Sequence, residues 1–217
     1  MGLQLRYLAY MIGDDESAPG WSAIDAALER LYGDAVPLHV APEIPSYLGG
    51  EDPLDGISIY RRADPVPHWH LISYGMSELY EKQSDNPVES GWGFEFTLRA
   101  VRRPNAVQPP AWAVMLVQQL ATFVSATGQW FAPGHTMKPG GLALGDRPTK
   151  LEALAFTVDG ELGMIPTPFG GLTFLQIVAL TGAEYEAAKD GHAEALLAEL
   201  EKHVPLHVID PARESLR

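Results

Sequence analysis

GGEDPLDGISIYRRADPVPHWHLISYGMSELY, residues 49–80, is the stretch whose reading decides the fold. Asp52 precedes Pro53 and Asp55 precedes Gly56, an arrangement typical of tight turns because a short carboxylate hydrogen-bonds nearby backbone amides. Ile57–Arg62 and His70–Tyr74 follow, rich in β-branched and aromatic side chains, and predict two short strands. Strand residues two apart share a face, so His68 and His70, on either side of Trp69, point the same way.

Downstream, Glu81–Ser90 is polar and holds Asn86-Pro87, which predicts an exposed loop. Trp92, Phe94, Phe96 and Leu98 then alternate with Gly93, Glu95, Thr97 and Arg99, the pattern of a strand with one buried and one solvated face. Gly91 and Gly93 suggest a close approach or a bulge. Pro109-Pro110 opens the clearest helix, with Trp112, Leu116, Leu120 and Phe123 on one face and Gly128 as its stop. The apolar runs 151–158 and 172–180 are flanked by Gly and Pro as buried strands are, although periodicity alone would also allow the second to be helical. Thr181 and Glu184 form a capping-box signature for a helix running towards His203, and Leu206–Ile209 suggests a last short strand.

Upstream, Pro19-Gly20 opens a helix in which Trp21, Ile24, Leu28 and Leu31 recur at steps of three and four before Gly33 ends it. Pro42, Pro45, Gly49, Gly50 and Pro53 punctuate the loop that follows. The apolar stretch Leu3–Ile12 lacks a basic leader and a small-residue cleavage site, so it is expected to be local structure or an N-terminal extension. With no repeat and no biased linker, the chain is expected to be one α+β domain: an extension over 1–18, the domain over 19–210 and a C-terminal tail over 211–217.

Composition limits the function. The 217 residues carry 15 Lys plus Arg against 28 Asp plus Glu, a formal net charge of −13. Such a surface repels a phosphate backbone, so nucleic acid is excluded as a partner and basic proteins or peptides are favoured. Arg61-Arg62 and Arg102-Arg103 are pairs only and are expected to be solvated charges at strand ends. No cysteine is present, which removes thiolate chemistry and cysteine-held metals and fits a reducing, cytoplasmic setting. No apolar run approaches the roughly 20 residues that span a bilayer.

Three constellations could carry chemistry. His68 and His70 could share a divalent metal, but a third ligand is needed, and Glu78, His135 and Asp55 have no diagnostic spacing to the pair; hydrogen-bonded core histidines are the reading preferred here. Asp52 and Asp55 could bind calcium or do acid–base work, yet their turn setting favours structure. The glycines of GWGFEF lack the following helix of a dinucleotide site, and no phosphate loop, nucleophile elbow or zinc-protease pair occurs. These residues are expected to need no cofactor or metal; the alternative is a metal-assisted hydrolase centred on His68, His70 and His135.

GGEDPLDGISIYR, PVPHWHLISYGMSELY and SGWGFEFTLR, with PPAWAVMLVQQLATFV, FAPGH and TPFGGLTFLQIV further on, resemble the N-terminal domain of the suppressor of fused family across roughly Pro19–Asp210. Asp52, Pro53, Asp55, His68, Trp69, His70, Gly91, Gly93 and Glu95 are the signature positions of that resemblance. It implies a mixed sheet flanked by helices and a protein-binding domain that is not an enzyme. Metazoan members carry a second domain with no counterpart here, so the likeness is to the stand-alone bacterial type, for which it implies an immunity protein neutralising a toxin. In metazoan members a tyrosine matching Tyr80 and a nearby aspartate hold a short Gli peptide as an added strand. Asp85, Asn86 and Glu89 are rival equivalents of that aspartate, and Tyr80, Asp85 and Glu89 are the expected protein-binding residues.

Overall fold

The computed structural model describes residues 17–44 and 49–217, so Leu3–Ile12 and Pro45 lie outside the described residues. Its centre is a mixed sheet of eight strands: β1 (Leu38–Val40), β2 (Gly56–Arg62), β3 (His68–Tyr74), β4 (Glu89–Val101), β5 (Thr136–Met137), β6 (Leu151–Val158), β7 (Met164–Thr167) and β8 (Gly170–Thr181). The order across the sheet is β1-β2-β3-β4-β8-β6-β5, with β7 also on β8. Only β4 and β8 run parallel, as Phe96 faces Leu175 and Leu98 faces Ile177; the neighbours on each side are antiparallel.

Strand alternation sorts the side chains into two buried faces. Trp69, Leu71, Phe94, Phe96, Leu98, Leu154, Phe156, Leu175 and Ile177 turn to one side. There they meet α2 (Ala111–Thr127), which contributes Ala113, Val117, Leu120 and Val124 and ends at left-handed Gly128. Trp112 and Phe123 pack only from the margin, partly buried against this cluster. The opposite face takes α1 (Pro19–Tyr32) through Trp21, Ile24 and Leu28, against Ile72, Tyr74 and Phe174. Beside it lie α3 (Gly182–Ala188) and α4 (Ala193–Glu201), against Ala153, Ala155, Val178 and Leu180. The single α+β domain with a mixed sheet between helices is as expected.

The structure corrects several local readings. The second face of β4 is not solvated: Glu95, Thr97 and Arg99 are fully buried, while Trp92 is 38% exposed. Gly91 at φ 56 and Gly93 at φ 80 interrupt the pleat between Glu89 and Phe94, and that bulge turns Trp92 out of the core. The capping box of Thr181 and Glu184 forms, but Asp190 and Gly191 at positive φ split the helix into α3 and α4. Leu206–Ile209 is not a strand; Pro205–His207 is a 3₁₀ turn, and Ile209 makes one parallel bridge to Ala100. Strands β1, β5 and β7 were not foreseen, being too short to show periodicity. Nor are Arg61 and Arg62 simply solvated: Arg61 lies over Trp69 and donates to the Val107 carbonyl, and Arg62 pairs with Glu161 at 2.6 Å. The segment 211–217 is tied down, since Arg213 pairs with buried Glu184 at 2.6 Å and the Leu216 amide donates to the same carboxylate. No helix among the described residues is long and apolar enough to cross a membrane.

Candidate functional site

Where β3 ends, the chain turns at Gly75 and runs as an irregular wall through Tyr80. The bulged start of β4 faces it. Between them opens a cleft of about 620 Å³ lined by Pro53, Asp55, Met76, Glu78, Tyr80 and Trp92, among others. The walls meet because side chains are missing where backbone must pass. Added Cβ atoms would lie 2.6 Å from the Pro53 carbonyl at Gly75 and 2.7 Å from the Met76 carbonyl at Gly91, and both glycines have positive φ. The Trp92 amide donates to the Met76 carbonyl at 2.9 Å and closes the join.

Two carboxylates fix this wall. Glu78 accepts from the Gln83 and Ser84 amides at 2.7 and 2.6 Å and from the Lys82 ammonium at 2.9 Å. Burial opposes its ionisation, yet the Ser84, Lys82 and Gln83 donors outweigh that and hold it at about 2. Lys82 also reaches the carbonyls of Glu89 and Phe169, pinning the loop to β4 and to the turn before β8. Glu95, from the buried face of β4, accepts from the Gly75 amide at 3.0 Å, the Ser77 amide and hydroxyl at 2.9 and 2.6 Å, and the Ser73 hydroxyl at 2.5 Å. Burial pushes Glu95 up to about 7, and these donors offset it only in part.

The Glu95 shift predicts a pH signature. Its folded value lies above the ordinary 4.5, so the folded domain keeps a proton that the unfolded chain releases. The resulting stability is complete below pH 4.5 and is lost as pH rises through about 7. His39 and His70, pushed down to about 4 by burial, act in the opposite sense, losing stability as pH falls below 6.5. Comparing the wild type with Glu95→Gln isolates the carboxyl. Denaturation should show the wild type losing ground to the variant across pH 4.5–7, at up to about 1.4 kcal/mol per pH unit. A difference that stays flat across that window would refute the assignment.

The expected binding residues do not all share one surface. Tyr80 is half-buried in the cleft wall. Asp85 and Glu89 are exposed on the adjoining loop and do not line the cleft, and Glu89 is tethered to the Asn86 amide group at 3.1 Å. Asp52 accepts from the Leu54 amide, as its turn requires, and buried Asp55 borders the cleft. His68 donates to or accepts nothing from its neighbouring carboxylates; its Nδ1 meets the Val66 carbonyl at 2.7 Å and its Nε2 has no partner. His135 lies elsewhere, with its Nδ1 on the Ala132 amide. Among the described residues no group of three His, Asp or Glu side chains is placed to share a metal ion.

His70 belongs to a buried network that the sequence did not disclose. Its Nε2 meets Asp159 at 3.1 Å and its Nδ1 meets the Tyr32 hydroxyl. A carboxylate can only accept, so Nε2 carries the proton and Nδ1 accepts from the tyrosine. Asp159 also takes both arms of Arg99, at 2.5 and 2.9 Å, and the Thr97 hydroxyl at 2.8 Å. Arg99 further reaches Glu161 at 2.9 Å and Gln176 at 3.0 Å. Burial works against the Asp159 carboxylate, but its partners hold it well below the usual range; with His70 neutral at neutral pH, the Arg99 guanidinium is the charge responsible. The signal available was Arg99 at an apolar-flanked strand position; its partner 60 residues away was not readable.

Comparison with known proteins places the geometry. The family profile described as Suppressor of fused protein matches residues 50–214. Human Suppressor of fused homolog is 36% identical over 201 residues, covering 86% of this chain and 40% of that protein, and the mouse protein matches to the same extent. The chain thus spans 40% of the length of these curated relatives. Among solved structures, a chain of the Sufu-Fu complex superimposes with a TM-score of 0.83 at 29% identity, covering 91% of this chain and 92% of that one. The Drosophila Suppressor of Fused structure gives 0.83 at 30% identity, over 92% and 51% of the two chains. A SUFU homologue from Neisseria gonorrhoeae shares the fold, with a TM-score of 0.56 at 13% identity over 90% and 96%.

Proposed function

Because this chain belongs to the suppressor of fused family, we propose that it is a non-enzymatic protein-binding domain whose contact surface is the cleft between the Gly75–Glu81 wall and Trp92. The observation that carries this reading is the preformed, aromatic-flanked cleft of about 620 Å³. Its backbone is held by Glu78, Lys82 and Glu95 before any partner arrives, so little ordering entropy remains to be lost on binding. Tyr80 and Trp92 supply aromatic area beside backbone groups, the combination that anchors a bound segment. The suppressor of fused chain solved with Fu is a protein of this fold in a protein complex, which supports the same class of work here.

The finer reading is an immunity protein that neutralises a basic toxin. It is supported by the formal charge of −13 and by Asp85 and Glu89 exposed at the lip, where negative charge steers a basic partner. No observation favours the hydrolase alternative on His68, His70 and His135: both ring nitrogens of buried His70 are engaged by Tyr32 and Asp159, His135 lies on another loop, and among the described residues no third ligand is placed beside His68 and His70.

The test is binding by the purified domain to a partner captured on it, with variants at the cleft and lip. Tyr80→Ala should weaken the complex by about 2 kcal/mol, mainly through faster dissociation, with the fold intact. Asp85→Asn with Glu89→Gln should slow association and flatten its salt dependence. A partner indifferent to all three changes places the binding face elsewhere.

A further inference from the structure

We propose that Glu95 is the positioning residue of the cleft, a carboxylate behind the wall that sets the path of residues 75–77 and so the distance between Tyr80 and Trp92. This rests on the cleft being the binding surface. The geometry is one-sided in a telling way. Glu95 is fully buried on β4, yet its Oε1 turns to the Gly75 amide, the Ser77 amide and the Ser77 hydroxyl, all in the segment that leaves the sheet. Its Oε2 takes the Ser73 hydroxyl, which in turn accepts from the Phe96 amide at 2.8 Å. A segment that has left the ladder would otherwise bury amides with no acceptor, and one carboxylate supplies acceptors for two of them. The same segment presents the Met76 carbonyl to the Trp92 amide, so the hold passes from Glu95 through 75–77 to the facing wall. Nothing in sheet pairing demands a carboxylate at this position: Phe94 and Phe96 on either side are satisfied by apolar packing. The acid serves the wall.

The experiment is residue-resolved amide hydrogen exchange on the free domain. Glu95→Met fills similar space but accepts nothing from the four donors. It is expected to speed exchange at Gly75, Ser77 and Trp92 by at least about tenfold, while Phe156 and Ile177 in the central strands change far less. Glu95→Gln keeps one carbonyl acceptor for the two amides, and its NH₂ can donate to Ser73, so it should restore most of the protection. Uniform acceleration across wall and central strands, or no change at the wall, would overturn the proposal, because either result makes Glu95 ordinary core. If Glu95→Met does not fold, Ser77→Ala decides: it removes the 2.6 Å bond to Oε1, and unchanged exchange at Gly75 would count against the proposal. Exchange is read without a partner, so failure to find one, or a partner insensitive to Tyr80→Ala, sinks the binding reading while leaving this result standing.

Discussion

Asp159→Ala is expected to destabilise the domain by about 3–5 kcal/mol, read as a lowered denaturation midpoint with an unchanged dependence on denaturant. The reason is what the substitution leaves behind. Arg99 is fully buried and loses both of its contacts to Asp159, keeping only Glu161 and Gln176. His70 Nε2 and the Thr97 hydroxyl lose their acceptor, as do the amides of Glu161 and Leu162 at 2.9 and 3.1 Å. A buried guanidinium cannot shed its charge as a lysine could, and the single remaining carboxylate contact, to Glu161, whose side chain is partly exposed, balances its desolvation only in part. Combining Asp159→Ala with Arg99→Met should recover a large part of the loss, because an apolar side chain of similar reach needs no counter-charge. If the double variant is as unstable as the two single losses added together, the pair is not coupled and the network is misread. The exposed Lys150–Glu214 contact is the control: breaking it should change almost nothing, since water already solvates both groups.

That network marks the boundary of what the sequence could disclose. The helices α1 and α2, the strands β2, β3, β4 and β6, and the cap at Thr181 are local events that periodicity, proline and glycine placement and a capping pair specify within a few residues, whereas for β8 periodicity leaves strand and helix open. Family likeness singles out Tyr80, which lines the cleft, whereas alternation assigns Trp92, on the facing side, to the core face of its strand. The buried polar face of β4 was not legible, because Glu95, Thr97 and Arg99 alternate with large apolar residues in just the way a solvated face does. What makes them interior are partners from elsewhere in the chain, Asp159 for Thr97 and Arg99, Gln176 for Arg99, and Ser73 and Ser77 for Glu95. The same limit applies to α3 and α4, where the signals for a helix continue through Asp190-Gly191 but the backbone reverses into positive φ there. The lip residues show it again: Asp85 and Glu89 adjoin Tyr80 in sequence, yet the turn at Asn86 keeps them out of the cleft.

Phe96→Ala is expected to cost about 3–5 kcal/mol, of the same order as the loss at Asp159 but by a different route. Phe96 is fully buried at the point where β4 meets α2, with ring centroids 4.9 Å from Phe94 and 6.2 Å from both Phe131 and Phe156. Its Cα partner across the central parallel pair is Leu175, so the strand pair carrying it is flanked on both sides and cannot shift to fill the space. The loss is therefore transfer free energy plus an unrelaxed cavity, and it should be independent of pH and salt, unlike the losses at Asp159 and Glu95. Trp92, four residues earlier on the same strand, supplies the contrast. Alternation alone would put both rings in one core, but the bulge at Gly91 and Gly93 leaves Trp92 38% exposed in the cleft wall. Trp92→Ala should accordingly cost much less stability than Phe96→Ala and weaken a cleft-bound partner far more. Equal stability losses at the two positions would mean that the bulge does not turn Trp92 outward, and the cleft would lose one of its aromatic walls.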